Sequence, residues 1–338
     1  MSAETETTPR LRRLKGRAEA LFPGLMVAAL IALAASFVSE HYGAPAMLLA
    51  LLFGIALNFL ADEPRCAAGI AFAAKGVLRA GVALLGLRIT AGMVMDLGAA
   101  MLALVVLGVA STIGFGFLVA RAFGFRNRFA MLSAGAVAIC GASAAMAISA
   151  ALPPDERTRQ RLAFTVVGVT LLSTVAMVIY PVIASALAFD DRTAGIYIGA
   201  TIHDVAQVVG AGFSISEEAG ETATLVKLIR VAMLAPVVLL VSAASRRSME
   251  AGKRPPLLPG FVLAFVGFAA LASFGLVPQA VSDLAGGASR ALLLMAIGAV
   301  GVATSLKEVV EVGPRAMGML VSETVFLAVL IALGLTLF

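Results

Sequence analysis

Four cations stand inside stretches that otherwise read as membrane-spanning: Lys75, Arg79, Lys227 and Arg230. An ionisable side chain at bilayer depth costs about 2.5–3.5 kcal/mol on insertion scales, so it is kept there for a partner or a task. Lys75 and Arg79 are four residues apart and Lys227 and Arg230 three, so each pair lies on one helical face. Turned toward a common cavity, the four make a strongly positive pocket. In such a pocket arginine grips an oxyanion with two parallel N–H groups and lysine adds a point charge. The same residues have a second possible use: to bind backbone carbonyls, reach the headgroups or neutralise buried carboxylates.

Two Gly-rich segments add candidate anion donors. Residues 133–149 contain Gly141 and Ser143, and residues 298–305 read Gly-Ala-Val-Gly-Val-Ala-Thr-Ser, ending in Thr304 and Ser305. Glycine relaxes the backbone and hydroxyls satisfy freed groups, so such runs allow a helix to be interrupted. An interrupted helix presents free N–H groups at a half-helix N-terminus, where anions bind. Small residues also serve close helix packing, which is the competing reading.

The segment 199–212 reads Gly-Ala-Thr-Ile-His-Asp-Val-Ala-Gln-Val-Val-Gly-Ala-Gly. On a continuous helix Gly199, His203, Gln207 and Gly210 share one face, with Asp204 one position round. A His–Asp pair at membrane depth titrates near neutral pH and suits a coupling proton. Alternatively Asp204 is the counter-charge of Lys227 or Arg230, and His203 and Gln207 hold helices together. Asn58 ends the second span, either as a coupling group or as a helix cap. Glu323, in the last span, is expected to pair with a basic residue. Cys66 and Cys140 suggest no disulfide, and with two histidines no metal-ligand spacing occurs. No metal or cofactor is expected.

These residues need a membrane scaffold. The chain is 61% hydrophobic and 13% charged over 338 residues, which excludes a soluble multi-domain enzyme. About eleven apolar runs are long enough to span, at 21–39, 45–61, 67–87, 97–120, 129–151, 162–188, 194–213, 220–244, 257–276, 289–308 and 316–337. Joints are expected at Pro64, Pro153-Pro154, Asp190-Asp191, Pro255-Pro256 and Gly286-Gly287. Basic residues concentrate in the N-terminal tail and alternate loops, placing the N-terminus in the cytoplasm, with 155–161 as the exception. The net charge of +5 orients the chain in the bilayer and does not point to nucleic acid.

Span three, with Lys75 and Arg79, matches span eight, with Lys227 and Arg230. Gly-Ala-Val followed by small residues occurs in spans five and ten. This predicts an all-α polytopic protein: a basic tail at 1–20, an extra helix at 21–39, one repeat at 45–188 and a second at 194–338. Five spans per repeat invert the second in the membrane.

The chain resembles bacterial inner-membrane proteins grouped as sulfate exporters. The resemblance rests on Lys75 and Arg79 running into Leu84-Leu-Gly-Leu-Arg-Ile-Thr90, and on Ile139-Cys-Gly-Ala-Ser-Ala-Ala145. It continues with Thr201-Ile-His-Asp-Val-Ala-Gln-Val-Val-Gly-Ala-Gly212 and Ala223-Thr-Leu-Val-Lys-Leu-Ile-Arg230. That family is distantly similar to cation/proton antiporters and bile-acid sodium symporters. The resemblance implies a ten-helix inverted repeat with spans five and ten discontinuous and crossed, elevator-like alternating access, and homodimerisation. The expected activity is secondary transport of a small anion such as sulfate, sulfite or an organosulfonate. Lys75, Arg79, Lys227, Arg230, Gly141, Ser143, Thr304 and Ser305 would bind it. His203, Asp204, Gln207 and Asn58 would handle a coupling proton, or sodium. The alternatives are a carrier of another organic anion or of a cation, and an intramembrane enzyme or sensor built on His203 and Asp204.

Overall fold

In hydrocarbon a backbone group has no water to bond, so an apolar run of this kind satisfies itself as helix. The computed structural model describes residues 9–153, 156–244, 260–304 and 313–337, and among these it contains helices and no strand. In chain order they are α1 (Pro9–Tyr42), α2 (Ala46–Ala56), α3 (Pro64–Phe72), α4 (Leu78–Leu85), α5 (Ala91–Ala122), α6 (Asn127–Ala138), α7 (Ala142–Ala151) and α8 (Thr158–Ala186). They continue with α9 (Asp191–Thr201), α10 (Val205–Ile215), α11 (Glu217–Ala232), α12 (Leu234–Ala244), α13 (Gly260–Ser273), α14 (Gln279–Ala303) and α15 (Pro314–Leu337). A π-helical stretch, Ala73–Val77, joins α3 to α4. Seven helices among the described residues are long and apolar enough to cross a membrane, and shorter apolar helices lie between them. The protein is an all-α polytopic membrane protein.

Its surface inverts the soluble pattern. Leu33, Leu107, Leu118 and Leu240 are exposed, whereas His203, Lys227, Arg230 and Glu323 are buried. Polar groups gather inside because the outer faces meet lipid.

Two compact units make up the chain. The first comprises Met1–Gly81 with Arg290–Ser305. In it α1 and α3 touch through Gly24 and Gly69, where a Cβ on either would collide with the other's backbone. Gly54 of α2 likewise meets Gly298 and Gly301 of α14. The second unit comprises Val82–Ser289 with Leu306–Phe338. There Gly195 and Gly199 bring α9 against the backbone of α11 at Ala219 and Ala223. Small residues thus set the close approaches that let long side chains on one helix reach another's backbone.

Three expectations change. Among its described residues span ten is not interrupted: α14 is continuous from Gln279 to Ala303, and its glycines serve packing. The second discontinuous helix is span seven instead, broken between α9 and α10. Gly286-Gly287 is no joint but lies inside α14, with Gly286 making room for the Arg88 side chain. The turn before that helix is at Gly275, with φ +69°.

Asp190 starts α9 by accepting a hydrogen bond from Thr193 N at 2.7 Å. Hydrogen bonds from the Thr193 side chain and then its backbone N–H hold the Asp190 carboxyl below the usual aspartate range. Its contribution is therefore full above the unfolded-state pKa and is lost as pH falls through the lower folded value. Asp190→Ala is expected to cost about 1 kcal/mol near neutral pH, the usual worth of an N-cap. Thermal melts should show that deficit shrinking toward zero in acid.

Candidate functional site

The second unit holds two interrupted helices that meet at their breaks. At the first, α6 stops at Ala138 and Gly141 adopts φ +61° and ψ −127° before α7 begins. A Cβ on Gly141 would overlap Asp204 Oδ1, so both conformation and space demand glycine. At the second, Ile202 and Asp204 are extended, with ψ 142° and 145°, between α9 and α10. Helix ends leave carbonyls without an intrahelical donor. At these two ends the carbonyls of Val137, Ala138, Ile139, Gly199 and Ile202 receive donors from elsewhere.

Those donors come from α11. Arg230 is 1% exposed, and each of its five N–H groups finds a carbonyl. Nε donates to Ala138 O at 2.9 Å, and Nη2 to Val137 O at 3.0 Å and Ala138 O at 2.6 Å. Nη1 donates to Gly199 O at 3.1 Å and Ile202 O at 3.2 Å. Lys227, 0% exposed, donates to Ile139 O at 2.6 Å and Ile202 O at 2.9 Å. Of the two readings open in the sequence, this geometry matches carbonyl binding for both cations. It also places them at the negative C-terminal ends of two half-helices, where positive charge is favoured.

His203 and Asp204 diverge because the backbone between them is extended and not helical. His203 is fully buried. Its Nδ1 faces Val137 O at 3.2 Å, so Nδ1 carries the hydrogen, and Nε2 faces Thr324 Oγ1 at 3.0 Å. Asp204 is half-buried on the other side. Its Oδ1 accepts from Ala142 N at 3.3 Å, at the start of α7, and its Oδ2 accepts from Thr170 Oγ1 at 3.4 Å. Asp204 N donates to Ser173 Oγ at 3.0 Å. The partners of Asp204 are therefore an amide and hydroxyls, while carbonyls occupy Lys227 and Arg230.

Gln207 does not share a face with His203, since the helix does not run through them. It is buried against α8, with Nε2 donating to Thr174 Oγ1 at 3.3 Å. Thr174 spends its own hydrogen on Thr170 O at 3.0 Å. Gln207 must therefore point its amide nitrogen there, and its Oε1 is left buried without a partner. Ser143, in the first turn of α7, is exposed.

The remaining predicted residues fall elsewhere. Lys75 and Arg79 are exposed members of the first unit, so the four cations do not form one cluster within either unit. Asn58 caps the end of α14 rather than its own helix, donating to Val302 O at 2.7 Å and Thr304 O at 3.0 Å. The Thr304 hydroxyl donates to Val300 O. Ser305 lies outside the described residues. Thr170, Ser173 and Thr174 were not singled out in the sequence. Their signal is a set of hydroxyls at helical spacing in an otherwise apolar α8.

Arg230→Lys offers three donors at one point for five bonds spread over four carbonyls. Each buried group left unpaired costs about 1–3 kcal/mol. Folded, monodisperse yield by size-exclusion chromatography is expected to fall sharply for Arg230→Lys and to survive in Asp204→Asn.

Comparison with known proteins agrees with this membrane architecture. The family described as Conserved hypothetical protein 698 matches residues 23–320. The UPF0324 membrane protein TauZ of Paracoccus denitrificans is 60% identical over 326 residues, covering 95% of this chain and 96% of that protein. A UPF0324 membrane protein of Rhizobium meliloti is 54% identical, covering 99% and 98%. One of Chlorobaculum tepidum is 48% identical, covering 95% and 91%. No solved structure matches the chain. With near-complete coverage by both family and relatives, the chain belongs to the UPF0324 family of membrane proteins.

Proposed function

We propose that the protein is a secondary transporter of a small oxyanion, coupled to protons and working by elevator-like alternating access. On this reading it sits in the bacterial inner membrane with its N-terminus in the cytoplasm. The observation that supports it is the meeting of two interrupted helices, with both cations tied to carbonyls and Asp204 left half-buried. Non-helical backbone at membrane depth is tolerated where it is enclosed by protein or lines a cavity. Carriers place substrate and coupling-ion sites at such interruptions.

The anion would lie at the start of α7, on the first-turn N–H of Ser143 and the Ser143 hydroxyl. These donors suit the oxygens of sulfate, sulfite or a sulfonate. Lys227 and Arg230 supply a fixed positive field without touching the substrate. Asp204 occupies the neighbouring N–H of Ala142, and its negative charge opposes an arriving anion. A proton on Asp204 removes that opposition, so proton and anion bind together and each strengthens the other's binding. His203 acts as a strut rather than as the proton carrier.

A second reading, a cation carrier, is favoured by one feature. Gln207, one turn from Asp204, has a buried and unpartnered Oε1, and the two side chains bond neighbouring α8 hydroxyls, Thr174 for Gln207 and Thr170 for Asp204. An oxygen set of this kind suits a monovalent cation.

Uptake of labelled sulfate and sulfite into proteoliposomes tests the choice. An inward proton gradient is expected to drive uptake by the wild type. Asp204→Asn should lower the gradient-driven component roughly tenfold or more, within the ordinary range of coupling free energies. Uptake driven by a sodium gradient alone would favour the second reading. Undiminished proton-driven uptake in Asp204→Asn would remove Asp204 from the mechanism.

A further inference from the structure

Glu323 is 0% exposed and lies ten residues into α15, close to the middle of a 24-residue span. The sequence suggests a basic partner for it. Its hydrogen-bond partner is instead Ser133 of α6, whose Oγ lies 2.9 Å from Oε1. Oε2 is buried with no partner at all. Gly116 of α5 makes the room, since a Cβ there would lie 2.8 Å from Oε1. One turn along the same face of α5, Thr112 Oγ1 is also fully buried and unpartnered. A carboxylate with one hydroxyl donor and no cation is an unpaired buried charge, among the costliest arrangements in a membrane interior.

The charged groups on the elements packed around it do not answer that charge. Asp96 and Arg121 on α5, Arg126 and Arg128 beside α6, and Arg315 on α15 are exposed. Arg161 of α8 and Asp191 and Arg192 of α9 sit in the first turns of their helices. Among the described residues, the titratable group bonded next to Glu323 on α15 is His203, while Arg230 meets His203 only at Val137 O and Lys227 lies beyond it at Ile139 O. His203 bonds Thr324, the next residue of α15, and Val137, one turn beyond Ser133 on α6. Glu323 and His203 thus occupy successive positions along the same pair of helices. Thr324 has a single hydroxyl hydrogen, for which Leu320 O at 2.8 Å and His203 Nε2 at 3.0 Å compete. Ser133 is in the same position between Ala130 O at 3.3 Å and Glu323 Oε1. Either hydroxyl can turn to suit a gained or lost hydrogen on its titratable neighbour.

We propose that Glu323 is a second proton-binding site of this protein, separate from the crossing of the broken helices. In one state the carboxylic acid donates to Ser133 Oγ, which passes its own hydrogen to Ala130 O. In the other state Ser133 turns to donate to the carboxylate, and Thr112 is the nearby hydroxyl on the facing helix. The proton enters and leaves as such, so no other reactant is required. This assignment stands whether or not an oxyanion is the cargo.

Infrared difference spectra of the purified full-length protein, recorded between acid and alkaline pH, give the test. The wild type should show a carboxylic C=O band that loses intensity at alkaline pH and shifts in deuterated water. Glu323→Gln should lack that band and Asp204→Asn should keep it. Ser133→Ala should keep the band at a shifted frequency, which preserves the test if Glu323→Gln fails to fold. A band unchanged in Glu323→Gln and indifferent to Ser133→Ala would overturn the proposal. So would a Glu323 band that does not respond to pH.

Discussion

Everything at the centre of this protein depends on two cations of α11 supplying N–H groups that two interrupted helices lack. A buried guanidinium and a row of buried, unpaired carbonyls are each prohibitive alone. Brought together they satisfy one another, because the five donors of Arg230 and two from Lys227 meet carbonyls from α6 and α9 and the breaks beyond them. The C-terminal ends of two half-helices also converge there, adding negative potential where the positive charge sits. The arrangement requires α9 to lie almost against α11, and Gly195 and Gly199 make that possible.

This fixes how charge is divided. Lys227 and Arg230 are held by backbone carbonyls, whereas the carboxylate of Asp204 is held by an amide and a hydroxyl beside the first turn of α7. His203, next to it in sequence, faces the opposite way and ties α6 to α15. A two-residue stretch of extended backbone therefore separates a strut from a titratable group. On the proposed reading, this lets the site gain and lose a proton without loosening the clamp beneath it.

Much of the scaffold was legible in the sequence, because apolar run length and the cost of buried charge leave few alternatives. The helical membrane architecture and the burial of Lys227 and Arg230 follow from those two constraints, and the Gly- and Ser-rich run at 133–149 allowed the interruption found at Gly141, with close helix packing as the competing reading. The second interruption was not legible. Residues 199–210 fit a helical face so well that periodicity argued for continuity, and only the demand of Arg230 for the Gly199 and Ile202 carbonyls reveals the break. Span ten misled for the opposite reason. Gly298 and Gly301 look like a flexible run, yet they are spent on contact with Ile31 of α1 and the backbone of α2. Nor can residue type tell whether an arginine binds an oxyanion or carbonyls, since both offer oxygen acceptors. For the pair on α11 the distances show bonds to carbonyls.

The most direct test is a structure of the protein in lipid nanodiscs, saturated with sulfate or sulfite. The account predicts that Lys227 and Arg230 keep their bonds to the carbonyls of residues 137–139, 199 and 202, with any anion at the first turn of α7. Density for an anion on the Arg230 guanidinium, with those carbonyls released, would contradict it.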